Sequence, residues 1–318
     1  MWLGLINKVL KDSFLKTKIF YFVLLFHLIC SSVQAQSKVN VFLKPSDSLN
    51  IARKNSVFIS EAVVLSATMV GLQSYWYSDY PQSKFHFIND NGDWMQMDKM
   101  GHIFTSYQLG NFGSEALKWS GVSKKNQLIF GSTLGFVFLS AVEVLDGHSS
   151  NWGASSGDII ANATGTALYV SQELLWQEQR ITPKFSFHTT QYAALRPEVL
   201  GGSFSEQLLK DYNGQTYWFS ANVHSFFEDS KIPKWLNVAF GYGADGMIYS
   251  RNNTNSSIFP KVTPFRQFYV SFDADLTKIK TNSHLLKTIF SVVNIIKIPA
   301  PTLEINGDGT VEFYAFYF

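Results

Sequence analysis

Apolar residues dominate four long segments in the first part of the chain, at a spacing typical of helices. The segments cover residues 57–77, 97–119, 124–146 and 156–178. Gly121 and Ser123 separate the second segment from the third, and the polar stretch 146–151 separates the third from the fourth. The pattern therefore predicts four helices joined by turns before residue 180.

The first of these segments, Val57–Tyr77, has the length and composition of a helix that crosses a bilayer. A bilayer requires about 20 apolar residues. Glu61 is the only charge in the segment, and its end (residues 75–77) is aromatic, as at a membrane interface. Polar residues such as Ser66 and Gln73 fit the buried helix of a soluble bundle instead. Length alone does not separate the two readings.

Small residues recur along the third and fourth segments. Gly131 and Gly135 lie four residues apart in the third, and Ala161, Gly165 and Ala167 lie in the fourth. Such residues allow helix backbones to approach closely. We therefore expect the four helices to pack as one bundle.

After Arg180 the helical spacing gives way to prolines and to alternating aromatic and polar residues. Residues 265–276 and 310–318 have the alternation of strands, and the second follows the turn sequence Asn306–Gly309. Between them, residues 283–296 repeat apolar positions at helical spacing, which predicts an amphipathic helix packed on the sheet or lying on lipid.

These patterns together predict a mainly α fold, in which a membrane-associated four-helix bundle precedes an irregular α+β region with a small antiparallel sheet. The expected divisions are a signal peptide (1–35), a polar tether (36–54), a helical domain (55–180) and a C-terminal region (181–318).

The first 35 residues are typical of a secretory signal. Lysines precede an apolar run from Ile19 to Ile29, and small residues end at Ala35. Cys30 suggests a lipoprotein as an alternative, but no small residue stands just before it. Cleavage after Ala35 would leave a chain without cysteine, which excludes disulfides and cysteine-ligated metals.

Charge excludes one class of partner. Removal of residues 1–35 takes away four lysines and Asp12, so the remaining chain is nearly neutral. Binding to a nucleic-acid backbone needs clustered positive charge, which the sequence lacks. Scarce charges and abundant aromatic residues instead favour membrane lipid as a partner.

Polar residues that could carry chemistry fall at one end of the predicted helices. Asp98 and His102 share a helix face at i, i+4. If the helical hairpins are antiparallel, the start of the second helix, the end of the third and the start of the fourth meet. The residues expected to converge there are Asp98, His102, Glu143, Asp146, Asp158 and Asn162.

Each of these residues also has a structural explanation. Asp98 could stabilise a helix N-terminus, and Ser155 with Asp158 matches a capping box. Two kinds of chemistry remain open. Asp98, His102, Glu143 and Asp158 could bind a divalent metal as cofactor, or His102 could be a general base beside a carboxylate. No H-E-x-x-H motif, P-loop or G-x-S-x-G motif selects a reaction.

Residues 94–180 resemble the YfiM-like family, putative periplasmic proteins of Gram-negative bacteria with no known function. The resemblance rests on Asp98-Lys99-x-Gly101-His102, Glu143-x-x-Asp146 and Ser155-x-x-Asp158-x-x-x-Asn162-x-x-Gly165. The same residues are more distantly similar to VanZ-like membrane proteins, but the Gln and Arg usual between the acid and the final Asp are missing. The resemblance implies a helical hairpin with a polar end and a cell-envelope location, and no activity.

The expected function is therefore that of an exported protein, periplasmic or membrane-associated in the cell envelope. A structural or scaffolding role leads, because no catalytic motif is complete. A metal-dependent hydrolase acting on a lipid or cell-wall phosphate is the alternative. An outer-membrane channel is the third reading, since the terminal Phe318 resembles the last strand of a barrel, although too few strands are evident.

Overall fold

The computed structural model describes residues 38–77, 80–251 and 262–318. The predicted signal peptide and Cys30 lie outside the described residues. The chain divides into two compact units. One contains residues up to Lys44 with Thr281–Ile289, and there the Asn40 side chain accepts a hydrogen bond from the Leu285 amide. The other contains Pro45–Lys280 and Phe290–Phe318.

Four long helices form the first part of the second unit. They are α1 (Ile51–Leu72), α2 (Met97–Trp119), α3 (Leu134–Gly147) and α4 (Ser156–Leu175). A π-helical turn follows α1, and helical turns precede α2 and α3; these are Gln73–Tyr77, Asp93–Gln96, Lys124–Asn126 and Gln127–Gly131. Later helices are α5 (Phe204–Lys210) and α6 (His284–Val293), and single turns occupy Tyr192–Leu195, Pro197–Leu200, Val223–Phe226 and Leu276–Lys278.

Two sheets complete the structure. Strand β1 (Phe87–Ile88) pairs in parallel with β2 (Ala154–Ser155). Six further strands form one antiparallel sheet in which each strand pairs with the next along the chain. They are β3 (Ile181–Phe187), β4 (Gln215–Asn222), β5 (Leu236–Asp245), β6 (Phe265–Ala274), β7 (Ala300–Asn306) and β8 (Val311–Tyr317).

The predicted fold class is wrong. The chain is not a mainly α four-helix bundle with a small sheet, because a six-stranded antiparallel sheet accounts for much of the second unit. Strand β4 is buried along almost its whole length, so the simple alternation that marks a one-sided strand is hidden. The predicted strands 265–276 and 310–318 and the amphipathic helix are confirmed. The predicted turn before residue 310 is also confirmed, and it joins β7 to β8.

The helices α2, α3 and α4 pack closely, whereas α1 is attached near its N-terminal end, where Arg53 stacks on Trp119. Val57 is the one buried residue of α1, and it packs with Leu117 and Val122. Among the described residues, Ile51–Leu72 and Lys124–Gly147 are long and apolar enough to cross a membrane, by length and composition only. Membrane contact through these helices remains a prediction.

Helix α2 joins the helices to the sheet. Met97 is fully buried with Tyr217 of β4 and Ala244 of β5. Phe104, two turns further along, packs on Phe185 and Tyr217, with ring centroids 5.8 Å apart in both pairs. The N-terminal half of α2 is therefore fixed from both sides, which sets the positions of the polar side chains that it carries.

Candidate functional site

An unusual backbone turn places the start of α2. Trp94, Met95 and Gln96 are consecutive non-glycine residues in the left-handed region, with φ of 45°, 50° and 63°. Such conformations cost free energy and persist only where surrounding contacts fix them. Here the Trp94 amide donates to the Ser250 carbonyl at 2.7 Å, and the Tyr242 hydroxyl donates to the Met95 carbonyl. These contacts fix the direction in which α2 begins.

Two glycines bring α3 and α4 against α2. A Cβ atom at Gly135 would lie 2.2 Å from the Ser106 carbonyl oxygen, and one at Gly165 would lie 2.3 Å from that of Ile103. The predicted close approach of these helices is confirmed. As a result, the end of α3 and the start of α4 lie beside the start of α2.

His102 is the centre of the resulting cluster. Its Nε2 atom lies 3.7 Å from Asp98 Oδ1, 3.9 Å from Glu143 Oε1 and 3.9 Å from Asp158 Oδ1. These distances are too long for hydrogen bonds. One ring nitrogen therefore faces carboxylate oxygens from three helices.

The other ring nitrogen of His102 is held by α4. Nδ1 lies 2.9 Å from Asn162 Oδ1, an oxygen that can only accept, so Nδ1 carries the proton and donates it. In the neutral imidazole, this leaves a lone pair on Nε2, directed at the three carboxylates. The same arrangement orients histidines that bind metals through Nε2.

At the start of α4, the Asp158 carboxylate takes no part in helix capping. The Ser155 hydroxyl accepts a hydrogen bond from the Asp158 amide at 3.2 Å, as in the predicted capping box. In a capping box the Asp158 side chain would return a bond to the Ser155 amide. Here Glu143 Oε2 accepts from that amide instead, at 2.8 Å. Helix capping therefore does not occupy the Asp158 carboxylate, which turns toward His102.

Glu143 has one oxygen with no hydrogen-bond partner. Its side chain is 3% exposed, and no donor among the described residues contacts Oε1. A buried carboxylate oxygen without a donor costs free energy unless a proton or a cation is nearby. This oxygen, Glu143 Oε1, lies 3.9 Å from His102 Nε2.

Lys99 supplies the main positive charge. Its Nζ atom lies 2.6 Å from Asp90, 2.8 Å from Asp158 Oδ1 and 3.3 Å from Asp98. Asp90 also accepts a hydrogen bond from the Ser155 hydroxyl at 2.5 Å. The cluster thus contains more carboxylates than basic side chains, so either bound protons or a cation would balance its charge.

One predicted site residue lies apart, and two partners of the cluster had no sequence signal. Asp146 does not contact His102; it accepts a hydrogen bond from the Tyr77 hydroxyl at 2.6 Å. Asp98 accepts one from the Tyr212 hydroxyl at 2.9 Å. Tyr212 follows α5, far along the chain, and Asp90 lies in a loop, so neither falls at helical spacing from the predicted residues.

The pKa values reflect this crowding. Burial and the Asp98 carboxylate raise the pKa of Asp158 to about 8. Burial alone would lower the pKa of His102, but the Asp98 and Asp158 carboxylates outweigh it and raise that pKa. Burial opposes ionisation of Asp98, yet the charges of His102 and Lys99 lower its pKa. In the absence of a bound cation, the cluster therefore holds protons at neutral pH.

A cavity opens beside the cluster. Its volume is about 340 Å³, and Asp98, His102 and Tyr212 form one side of it. The rest of the wall is mainly apolar and includes Phe104, Leu139, Phe185, Leu208 and Tyr217. The cavity can hold an apolar group with its polar end against Asp98 and His102.

Comparison with known proteins gives a family description and no activity. Residues 87–173 match the model of a family described as predicted periplasmic lipoprotein, DUF2279. The searches of curated proteins and of solved structures each gave no match. The expected likeness to an uncharacterised periplasmic family is confirmed at this level, and the narrower likeness to YfiM-like and VanZ-like proteins stays a prediction. The protein is thus similar to exported proteins of the periplasm or cell envelope.

Proposed function

We propose that this exported protein is a divalent-cation-dependent hydrolase of an amphiphilic phosphate ester, such as a lipid or cell-wall precursor phosphate. One observation carries the proposal. His102 Nε2 faces three carboxylate oxygens at 3.7–3.9 Å, and one of them, Glu143 Oε1, is buried without a donor. A purely structural network would satisfy its own buried oxygens.

The distances suit atoms that share a cation. Two atoms bound to one divalent cation at about 2.0–2.5 Å lie roughly 3–5 Å apart. The ligand atoms of Asp98, His102 and Asp158 all lie within 4.8 Å of one another. Oxygen and imidazole ligands together suit Mn²⁺, Fe²⁺ or Zn²⁺. We assign these three residues as the ligands, with Asn162 orienting His102.

Glu143 is then placed to act as a general base. A bound cation would polarise a phosphate oxygen of the substrate. Glu143 Oε1 takes a proton from water, the water oxygen bonds to phosphorus, and the bond from phosphorus to the alcohol oxygen breaks. The proton then passes to the departing alcohol, so that the products are a phosphate and an alcohol.

The apolar cavity supports an amphiphilic substrate. Its aromatic and leucine walls fit a hydrocarbon chain, and Asp98 and His102 lie on the side where a phosphate would be held. A substrate of this kind would come from a membrane, which agrees with the predicted lipid contacts of residues 57–77 and 283–296.

Hydrolysis assays with matched variants test the proposal. The full chain is stripped with a chelator, then supplied with Mg²⁺, Mn²⁺ or Zn²⁺ and given alkyl phosphate esters. We expect phosphate release that requires the cation and is lost in His102→Ala. His148→Ala is the control, because His148 is an exposed histidine whose Nδ1 contacts only the Val144 carbonyl. Failure of every cation both to bind and to support hydrolysis would refute the proposal.

A structural role is the second candidate, and Lys99 favours it. Its ammonium holds Asp90, Asp98 and Asp158, and so connects the loop before α2 to α2 and α4. On this reading the cluster stabilises a scaffolding protein, and His102→Ala lowers stability without affecting any hydrolysis. The channel reading gains no support, because Trp218, Tyr269 and Lys297 fill the inner side of the sheet.

A further inference from the structure

The large sheet has an apolar outer face. Strand pairing places Phe240, Val270, Leu303 and Phe313 in one row across β5–β8, and Tyr242, Phe268, Ile305 and Val311 in the next row. Most of these side chains are exposed; Phe268 is 48% and Phe313 66% exposed. Apart from Tyr242, whose hydroxyl contacts the Met95 carbonyl, these side chains form a continuous apolar surface across four strands that no described part of the second unit covers.

The inner face of the same sheet is buried and carries charged side chains. Lys184 and Lys297 are fully buried there, and Lys184 Nζ lies 2.8 Å from Asp273 Oδ2. The Ser220 hydroxyl donates to the same oxygen at 2.6 Å, and the Lys297 ammonium lies 5.0 Å from the centre of the Trp218 ring. Charged and hydroxyl side chains share this side of the sheet with an aromatic cluster that includes Trp218 and Tyr269.

This distribution is the reverse of a sheet that faces water. In water the hydrophobic effect removes apolar side chains from the surface, and buried charges cost free energy even when paired. Apolar residues outside and polar residues inside, alternating along each strand, are the pattern of strands that face lipid. The inversion is stable only where the medium outside is itself apolar.

The outer face also has an apolar stretch of a length similar to that of membrane strands, with charges only at its ends. Along β6 the outer positions are apolar from Phe268 to Ala274, a length of about 20 Å along the strand at ~3.4 Å per residue; the apolar band of membrane strands is about 25 Å tall. Exposed charges stand at both strand ends, with Arg266 and Asp308 at one end and Lys234 at the other. A charge-free band between charged ends complements hydrocarbon between headgroups.

We infer that the outer face of β5–β8 rests against the hydrocarbon of a lipid bilayer. A second copy of the chain fits this face less well. Lys184 on β3 reaches Asp273 on β6 across the inside, so the sheet is strongly curled and its outer face is convex. Two convex faces touch over a small area, whereas a stable dimer buries about 800 Å² on each partner. The inference does not depend on the proposed hydrolase.

Depth-dependent quenching tests the lipid contact. Cys30 is the only cysteine, so Cys30→Ser removes the native thiol and each new cysteine becomes the single labelling site. Val270→Cys and, as a second probe on another strand, Leu303→Cys receive a fluorescent label. Asp308→Cys, in the exposed β7–β8 turn, is the matched control. The full chain is reconstituted into phosphatidylethanolamine–phosphatidylglycerol vesicles, and circular dichroism checks its folding.

We expect bromine atoms on the lipid acyl chains to quench the labels at 270 and 303, and aqueous iodide to leave them bright. The label at 308 should show the opposite behaviour. Quenching at 270 and 303 by iodide, as at 308, would overturn the inference. So would protection of both labels from both quenchers with energy transfer between copies, which would assign the face to a second copy of the chain.

Discussion

At the level of single residues, Glu143 and Asp158 exchange roles at the start of α4. Glu143 accepts the bond from the Ser155 amide that Asp158 would take in a capping box, and the Asp158 carboxylate turns to Lys99 and His102. The Asp158 carboxylate could have capped the helix, but it is buried beside other carboxylates. This arrangement concentrates negative charge where a cation would bind.

Asp158→Asn separates binding from folding. The amide keeps the size of the side chain, and the cap survives because Ser155 accepts from the backbone of residue 158. We expect cation binding, measured by isothermal titration calorimetry, to weaken by at least about tenfold, the effect of losing ~1.4 kcal/mol of charge attraction. Thermal stability at neutral pH without cation should change little, because the raised pKa of Asp158, about 8, already keeps this carboxyl uncharged. Asp229→Asn, an exposed acid, should bind as the wild type does.

Lys99→Met should instead damage folding. Removal of the ammonium leaves Asp90, Asp98 and Asp158 without their main cation. Breaking a buried ion pair on one side costs about 3–5 kcal/mol, so we expect the free energy of unfolding to fall by roughly 3 kcal/mol. Urea denaturation followed by circular dichroism measures the change. Lys118→Met removes an exposed lysine from the same helix and should change stability little.

The pH dependence of stability has a defined sign. Asp158 and His102 have raised pKa values, so the folded protein keeps protons that the unfolded chain releases. Without cation, their contribution to the free energy of unfolding should decrease as pH rises from 5 to about 8. The lowered pKa of Asp98 acts below this window. Denaturant unfolding at several pH values, with chelator and with cation, measures the slope; saturating cation should flatten it, and equal slopes would contradict proton–cation competition.

At the level of elements, the glycines determine whether the helices can meet. Gly165→Ala places a Cβ atom 2.3 Å from the Ile103 carbonyl oxygen, so α4 must move away from α2. We expect the variant to lose at least about 2 kcal/mol of stability, as overpacked sites do, and to lose the site geometry. Gly71→Ala is the matched control, since its Cβ meets nothing within 4 Å and alanine favours α1 by up to ~1 kcal/mol. Thermal unfolding of both proteins distinguishes them.

Helical elements could be predicted from sequence more fully than strands. The four helices follow a spacing of apolar residues that persists for several turns, and the turn at Asn306–Gly309 has a specific chemistry. Strands β3, β4 and β5 lack such a signal. Lys184 and Asp273 are charged and pair inside the sheet, so charge along these strands does not mark the side that faces solvent. Sequence-based prediction assumes that apolar side chains turn away from the surface. The outer face of this sheet has apolar side chains at the surface instead.

The sequence predicted that five site residues would meet, because in antiparallel hairpins helix length and turn position determine which helix ends coincide. These residues are Asp98, His102, Glu143, Asp158 and Asn162. The structure brings these five together and leaves Asp146 with Tyr77. Their catalytic role stays a prediction. Tyr212 and the cavity could not be anticipated, because they depend on how the sheet packs on α2.

At the level of the whole molecule, the second unit contains a buried acidic cluster, an apolar cavity and a sheet with an apolar exterior. The cluster lies where three helices meet, residues of β3 and β4 help line the cavity beside it, and the outer face of β5–β8 is free of charge except for Arg266 at the strand end. An enzyme with this arrangement could receive a substrate from a membrane at a site shielded from water. The proposed hydrolysis depends on whether the cluster holds a cation.

Crystals of the full chain soaked in Mn²⁺ test that claim most directly, because the anomalous scattering of manganese locates the ion. We expect one strong peak at about 2.0–2.3 Å from His102 Nε2 and from oxygens of Asp98 and Asp158, absent from crystals of Asp158→Asn. A peak only at surface carboxylates, or none at saturating Mn²⁺, would contradict the account and leave the cluster as a proton-holding structural network.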